Sequence, residues 1–338
     1  SGVNTVSGAT VVDAGTLTLS GGNALANSMA VTVNASGTLK LASAEEIATL
    51  AGSGAVNLQA NALTLSGSAN TAYSGVMSGS GSLVKSGSGE LTLSGANTFS
   101  GGATVSGGTV LVGNDAAFGS GTVVFSGGKI SSDGATARTL TNALTLSGAL
   151  ALGDGTNNGA LTFTGAAGLS AATTLTVGSE VTLSGVMSGA YSLTKAGSAE
   201  LTLSGANTFS GVTVVDAGTL TLSGGSALAN SMAVTVNGSG TLKLASSEEI
   251  ATLAGAGAVN LQGNVLSVSG AADTTFSGVM SGAGSMVKTG AAVFTLSGAN
   301  TFSGGVTLSE GAIQVGDNAA LGTGTVTFSA GRISSDSA

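Results

Sequence analysis

The sequence predicts an all-β protein whose short strands stack as the coils of a parallel β-solenoid, with about 20–24 residues per coil. Composition, internal repeats and short alternating runs all support this prediction. The chain has 338 residues, of which 58 are Gly and none is Pro, and 42% are hydrophobic. Gly permits tight corners, and the absence of Pro leaves every backbone N–H available for ladders between coils.

A long repeat divides the sequence. Residues 1–135 align without a gap with residues 204–338, so that TVVDAGTLTLSGG at 10–22 recurs at 213–225. We therefore expect a first repeat unit over residues 1–203 and a partial second copy over 204–338, in one continuous solenoid without a separate globular domain. Because the first residues already lie within a repeat, we expect the chain to be a section of a longer protein.

A shorter phrase recurs within that repeat. LSGANTFSG stands at 93–101, 203–211 and 296–304. Between the copies lie short alternating runs such as TLTLS (16–20) and TLKLA (38–42), which recur 19 to 28 residues apart. Alternation over four or five residues is typical of strands, because successive side chains point to opposite faces. This spacing indicates solenoid coils of two or three strands each.

One segment predicts a different local structure. SAEEIATLA at 43–51 and its copy at 246–254 have a Ser followed by Glu at the spacing of a helix N-terminus. We expect a short helical turn there, capped by Ser43 or Ser246.

The charge pattern excludes several classes of protein. The net charge is −8 with eight scattered basic residues, whereas nucleic-acid binding needs clustered Lys and Arg. The absence of Cys excludes disulfides and thiolate sites. No run of 18 apolar residues occurs, so we expect no transmembrane helix in this sequence.

Catalytic chemistry is not predicted. The chain has no His and no Cys, and its 16 carboxylates are isolated except for the pairs Glu45–Glu46 and Glu248–Glu249. Adjacent residues do not face each other on a helix, so neither pair forms an acid/base couple. We expect no enzyme activity, no catalytic residue and no cofactor.

The best candidate for a metal site is GDGTNNG at 153–159. Asp154, Asn157 and Asn158 supply the hard oxygen ligands that calcium prefers. No second carboxylate is nearby, however, and the glycine-rich calcium repeat of β-rolls is absent. The sequence therefore favours a turn, and no metal site is predicted.

Three residue types recur with the LSGANTFSG phrase, and each allows a functional and a structural interpretation. The asparagines could form a ligand ladder, but the sequence favours coil corners at which Asn binds its own backbone; they are Asn97, Asn207 and Asn300. The aromatic residues could be exposed and adhesive, but we expect them to pack in the core; they are Phe99, Phe209 and Phe302. The lysines could bind an acidic polymer, but we expect solvated edge residues; they are Lys85, Lys195 and Lys288.

Residues 81–102, GSLVKSGSGELTLSGANTFSGG, resemble the autotransporter-associated β-strand repeat, also called the passenger-associated transport repeat. The resemblance covers about residues 82–112, 192–222 and 285–315, together with a truncated start at 1–19. It implies a right-handed parallel β-helix within the passenger of a large bacterial protein that is exported through the outer membrane to the cell surface.

The resemblance also implies a structural role. We expect a stalk or fibre for adhesion or matrix assembly that associates with copies of itself, end to end or laterally. Another partner left open is a glycan or protein on a host or neighbouring cell. The main alternative is an adhesin stalk that presents a binding domain encoded elsewhere in the protein. An ice-binding Thr face and a glycan-acting β-helix are less favoured alternatives.

Overall fold

The computed structural model describes residues 8–22, 24–230 and 232–336. Over these residues the chain forms strands, turns and bends, with no helix. The chain divides into two compact units, Ser1–Ala167 with Gly178–Val181, and Gly168–Val177 with Thr182–Ala338. In the described part of the chain, no helix is long and apolar enough to cross a membrane.

The strands are short, and they are numbered in chain order. The strands that begin before residue 167 are β1 Thr10–Leu19, β2 Ala30–Leu41, β3 Glu45–Ile47, β4 Thr49–Gly52, β5 Ala55–Asn57, β6 Ala62–Leu65, β7 Thr71–Tyr73, β8 Met77–Ser78, β9 Ser82–Lys85, β10 Glu90–Leu93, β11 Ala103–Val105, β12 Thr109–Val112, β13 Val123–Phe125, β14 Lys129–Ser132, β15 Arg138–Leu140, β16 Leu144–Leu152 and β17 Leu161–Phe163.

The remaining strands are β18 Ala167–Val177, β19 Val181–Leu183, β20 Met187–Ser188, β21 Leu193–Ala196, β22 Glu200–Leu203, β23 Thr213–Leu222, β24 Ala233–Leu244, β25 Glu248–Ile250, β26 Thr252–Ala254, β27 Ala258–Asn260, β28 Val265–Val268, β29 Thr274–Phe276, β30 Val279–Ser281, β31 Ser285–Lys288, β32 Val293–Leu296, β33 Val306–Leu308, β34 Ala312–Val315, β35 Val326–Phe328 and β36 Arg332–Ser335.

The first unit stacks its strands in parallel, one coil on the next. β3, β6, β9, β11 and β13 form one such stack, and β7, β10, β12 and β14 form another. In the second unit, β25, β28, β31, β33 and β35 form a five-stranded parallel sheet, and β29, β32, β34 and β36 form a four-stranded one. The predicted parallel β-solenoid is therefore confirmed.

Coil lengths follow from the register. Leu63 pairs with Leu83, 20 residues along the chain, while Leu39 pairs with Val56, only 17 residues along. The shortest coil lies where the long strand β2 pairs with both β4 and β5. A tight corner joins β4 to β5, so that part of the fold needs fewer residues than the predicted 20–24.

The core consists of columns of small and medium apolar side chains. One column in the first unit runs through register partners that are all buried, namely Leu63, Leu83, Ala103, Val123 and Leu144. Burying a Leu or Val side chain contributes about 1.5–3 kcal/mol, so each coil adds its own share of stability. Inward residues alternate with outward residues along each strand, which is the pattern that predicted the strands.

The expected helical turn at 43–51 is wrong. The segment forms β3 and β4, and its copy forms β25 and β26. The Glu45 side chain is buried, and its carboxylate accepts backbone N–H groups from Ala24 at 3.1 Å and Leu25 at 2.6 Å. Ladder pairing with the next coil and this carboxylate contact outweigh the weak local preference for a helix.

Candidate functional site

The asparagine of each LSGANTFSG phrase connects three successive coils. Asn207 accepts a hydrogen bond at Oδ1 from the backbone N–H of Met187 at 2.7 Å. Its Nδ2 donates to the carbonyl oxygen of Ala227 at 2.7 Å. A side-chain amide has both an acceptor and a donor, so it can continue the backbone ladder through a corner where no strand pairs.

The same bridge occurs in the other two copies. Asn97 bridges Met77 N and Ala117 O at 2.8 and 2.7 Å, and Asn300 bridges Met280 N and Ala320 O at 2.7 and 2.6 Å. All three asparagines are buried, and none has a positive φ. The structure thus differs from the expected detail, because the amides bind the coils before and after them rather than their own backbone.

The recurrent phenylalanines lie in the interior. Phe99, Phe209 and Phe302 each have 0% of their surface exposed. Each follows its asparagine by two residues, so the same corner that holds the amide bridge also buries the ring. These rings are among the largest fully buried side chains of a core that consists mostly of smaller residues.

The recurrent lysines are buried, so the prediction of solvated edge residues is wrong. Lys195 is fully buried, and its Nζ donates to the carbonyl oxygens of Ala196 at 3.0 Å, Gly197 at 2.7 Å and Ala217 at 2.9 Å. These three acceptors match the three N–H donors of an ammonium group. A buried charge is tolerated when it is hydrogen-bonded in this way.

The other two lysines occupy equivalent positions. Lys85 and Lys288 are 4% and 1% exposed, and each donates to a turn carbonyl two residues later, those of Gly87 and Gly290. Burial lowers the pKa of Lys195 to about 8. Burial also lowers the pKa of Lys85 and of Lys288, although nearby Glu310 and Asp273 partly oppose it for Lys288. These ammonium groups are therefore not available to an acidic polymer.

Glycine forms a column beside the asparagine corner. A Cβ added to Gly75 would lie 1.9 Å from the carbonyl oxygen of Gly54, and one added to Gly95 would lie 1.8 Å from that of Gly75. Gly278 and Gly298 show the same close approach in the second unit, at 1.7 and 1.8 Å. The glycine of LSGANTFSG is therefore needed for backbone packing between coils.

The carboxylate of the calcium candidate is already engaged. Asp154 accepts at Oδ1 from the backbone N–H groups of Thr156 at 2.9 Å and Asn157 at 2.6 Å, and its Oδ2 lies 3.2 Å from Lys129 Nζ. Burial opposes ionisation, but these hydrogen bonds and the Lys129 charge outweigh it and lower the pKa of Asp154. The described residues contain no cluster of three or more His, Cys, Asp or Glu that could hold a metal ion.

Two surface features have no counterpart in the sequence predictions. An open polar groove of about 700 Å³ in the first unit is lined by Lys40, Asn57, Gln59, Asn61 and Ser80, among others. Each copy of SGVMSG also exposes one valine, 43% in every case; these are Val76, Val186 and Val279. The recurrence of SGVMSG in the sequence could have drawn attention to this valine, whereas the groove depends on how corners from successive coils stack.

A comparison with protein-family models identifies the passenger-associated transport repeat at four positions, residues 1–19, 83–112, 193–226 and 286–315. The last three matches each contain one Lys, one Asn and one Phe of the buried sets described above. Neither the comparison with curated proteins nor the comparison with solved structures found a significant match. The chain is thus a parallel β-solenoid that carries the passenger-associated transport repeat at four positions.

Proposed function

We propose that this chain is a structural segment of an autotransporter-type passenger and serves as a stalk or fibre on the outside of a bacterial cell. The passenger repeat implies an exported surface protein, and the β-solenoid fits a passenger stalk. The finer roles in adhesion or matrix assembly are part of the proposal.

One observation carries the structural role. In each full copy of the phrase, the polar Asn and Lys side chains bind the protein's own backbone, and the Phe packs inside. The recurrent residues thus hold coils together and are not presented to a ligand. Repetition of such a phrase extends the stack, which is the property that a spacer requires.

A test of export and orientation can use the exposed turn at 154–158. A Cβ on Gly155 meets nothing within 4 Å, so an epitope inserted there should not disturb the coils. We expect an antibody to label this epitope on intact cells of the native host. Labelling only after lysis would contradict the proposal. Deletion of the 203-residue repeat should shorten the surface projection seen by electron microscopy, and an unchanged length would argue against a spacer.

The exposed valines favour self-association as a second role. Val76, Val186 and Val279 recur at the same place in SGVMSG and are 43% exposed. Only 7% of the residues are charged, so little charge repulsion opposes contact between two copies of the chain.

Sedimentation over a range of protein concentrations distinguishes a fibre from a bare stalk. A fibre subunit should associate as concentration rises, and replacing the three valines by Ser should weaken that association. A matched control replaces three outward-facing threonines, Thr64, Thr92 and Thr104, by Ser. A chain that stays monomeric at all concentrations would leave the stalk and eliminate the fibre.

A further inference from the structure

The β-bulge between β23 and β24 contains an Asn–Gly dipeptide. Val215 pairs with Val236 and Ala217 pairs with Ser239, so Asp216 faces two residues, Asn237 and Gly238, that have no register partner. Both are exposed. A Cβ added to Gly238 would meet nothing within 4 Å, so the backbone has room to turn at this point.

We propose that Asn237 is a site of spontaneous modification, at which the side-chain amide is converted to a carboxylate. The backbone nitrogen of Gly238 attacks Cγ of Asn237 and loses its proton to solvent, and the Cγ–Nδ2 bond breaks to release ammonia. Water then opens the cyclic imide to give Asp or isoaspartate. No oxidant or reductant is involved. The attacking atom is the next nitrogen in the chain, and Gly presents no side chain to hinder its approach.

The first unit provides the same bulge with a different second residue. Val12 pairs with Val33 and Ala14 pairs with Ser36, which leaves Asn34 and Ala35 without register partners. Asn34 donates to Asp13 at 2.5 Å, as Asn237 donates to Asp216 at 2.5 Å. The two sites therefore differ chiefly in Ala35 versus Gly238, and the Cβ of Ala35 should slow ring closure.

A second Asn–Gly dipeptide has the same sequence in a different structural setting. The backbone N–H of Gly159 donates to the carbonyl oxygen of Gly134 at 2.8 Å. Gly159 is buried, and a Cβ there would lie 2.2 Å from the carbonyl oxygen of Thr136. The nitrogen that would attack Asn158 is thus held in a hydrogen bond and cannot easily turn towards Cγ.

The modification changes the contact with Asp216. The Nδ2 of Asn237 donates to Asp216 Oδ1, and this donor becomes an acceptor oxygen after conversion. Two carboxylates then face each other across neighbouring coils, and an isoaspartate also lengthens the backbone by one carbon. We expect the bulge to open locally, since like charges at this distance repel.

The test is to incubate the full chain at neutral to mildly alkaline pH, denature and digest it at intervals, and locate converted Asn residues by tandem mass spectrometry. We expect Asn237 to convert about tenfold faster than Asn34 or Asn158, because only Gly238 combines an open position with no Cβ. Gly238→Ala should reduce conversion at Asn237 to the level of Asn34. Ala35→Gly should raise conversion at Asn34 to the level of Asn237.

A second measurement tests the consequence. Asn237→Asp should increase hydrogen exchange of amides in β23 and β24, and adding Asp216→Asn should reverse the increase. Equal conversion at Asn237, Asn34 and Asn158 would overturn the proposal, as would conversion that is unaffected by Gly238→Ala. Rapid conversion without a change in exchange would retain the modification site and refute its structural effect.

Discussion

The hydroxyl of Tyr73 donates a hydrogen bond of 2.7 Å to the backbone carbonyl oxygen of Gly54 in the neighbouring coil. The tyrosine is fully buried, and burial raises its pKa well above the ordinary value. In the second unit the equivalent position is Phe276, which is also fully buried. The two repeats therefore contain the same corner with and without a phenolic hydroxyl.

Removal of the Tyr73 hydroxyl should destabilise the first unit. We expect Tyr73→Phe to lower the free energy of local opening by about 1 kcal/mol, because a buried carbonyl loses its partner. Hydrogen exchange of the β7 and β10 amides measures the change, since repeat arrays seldom unfold in two states. Phe276→Tyr is the matched control and should cause no loss of protection. A protection profile in Tyr73→Phe equal to that of wild type would contradict the prediction.

Loss of an asparagine bridge should weaken three coils together. We expect Asn207→Ala to cost about 2–4 kcal/mol, because it leaves the buried N–H of Met187 and the carbonyl of Ala227 without a partner. The exposed Asn230→Ala is the control, and its effect should stay within about 0.5 kcal/mol. Denaturant unfolding followed by circular dichroism compares the two variants. Similar midpoints for both would show that the bridge adds no stability.

The buried lysine predicts a dependence of stability on pH. The pKa of Lys195 is about 8 in the folded state, whereas an unfolded lysine has a value of about 10.4. Between these pH values the unfolded chain binds more protons, so the free energy of unfolding rises with pH, by up to about 3 kcal/mol. Lys195→Met should flatten this rise, measured by denaturant unfolding from pH 7 to 10. It should not abolish it, because burial also lowers the pKa of Lys85 and of Lys288. Parallel curves for the variant and wild type would refute the assignment.

Two adjacent glutamates should differ sharply in importance. Glu248 is buried and accepts backbone N–H groups from Leu228 at 2.7 Å and Ala227 at 3.2 Å, whereas Glu249 lies on the outer face. We expect Glu248→Ala to cost about 2–4 kcal/mol, because two buried donors lose their acceptor. Glu249→Ala should change stability by about 0.5 kcal/mol or less.

Glu248→Gln refines this comparison. The glutamine side chain retains one acceptor oxygen, so this variant should lie between Glu248→Ala and wild type. Exchange rates of the Ala227 and Leu228 amides report the loss directly. Equal effects of Glu248→Ala and Glu249→Ala would contradict the role of the buried carboxylate.

The fold was predictable from the sequence because a two-residue period and a coil-length repeat together define a solenoid. The errors concern residues whose chemical type conflicts with that period. Lys85 stands two residues after Leu83, and Glu45 stands two residues before Ile47, so alternation places each with a core residue. Their charge suggested an exposed position instead. The period was the better guide, because backbone groups of the corners satisfy both charges.

The asparagine bridge could not be predicted in the same way. Asn207 binds backbone groups 20 residues before and 20 residues after it. Those partners become neighbours only when coils of a particular length stack in register. Local sequence predicted a corner, but the identity of its partners is a property of the stack.

The burial of lysine also has a consequence for digestion. Three of the eight basic residues, Lys85, Lys195 and Lys288, are enclosed by the folded coils. A trypsin-like protease must place a basic side chain in its specificity pocket and bind the flanking backbone in extended form. Here the side chain is inside, and the flanking strands are paired on both sides. Proteases in the surroundings of a bacterial cell would therefore find fewer cleavable bonds in the folded protein than its sequence contains.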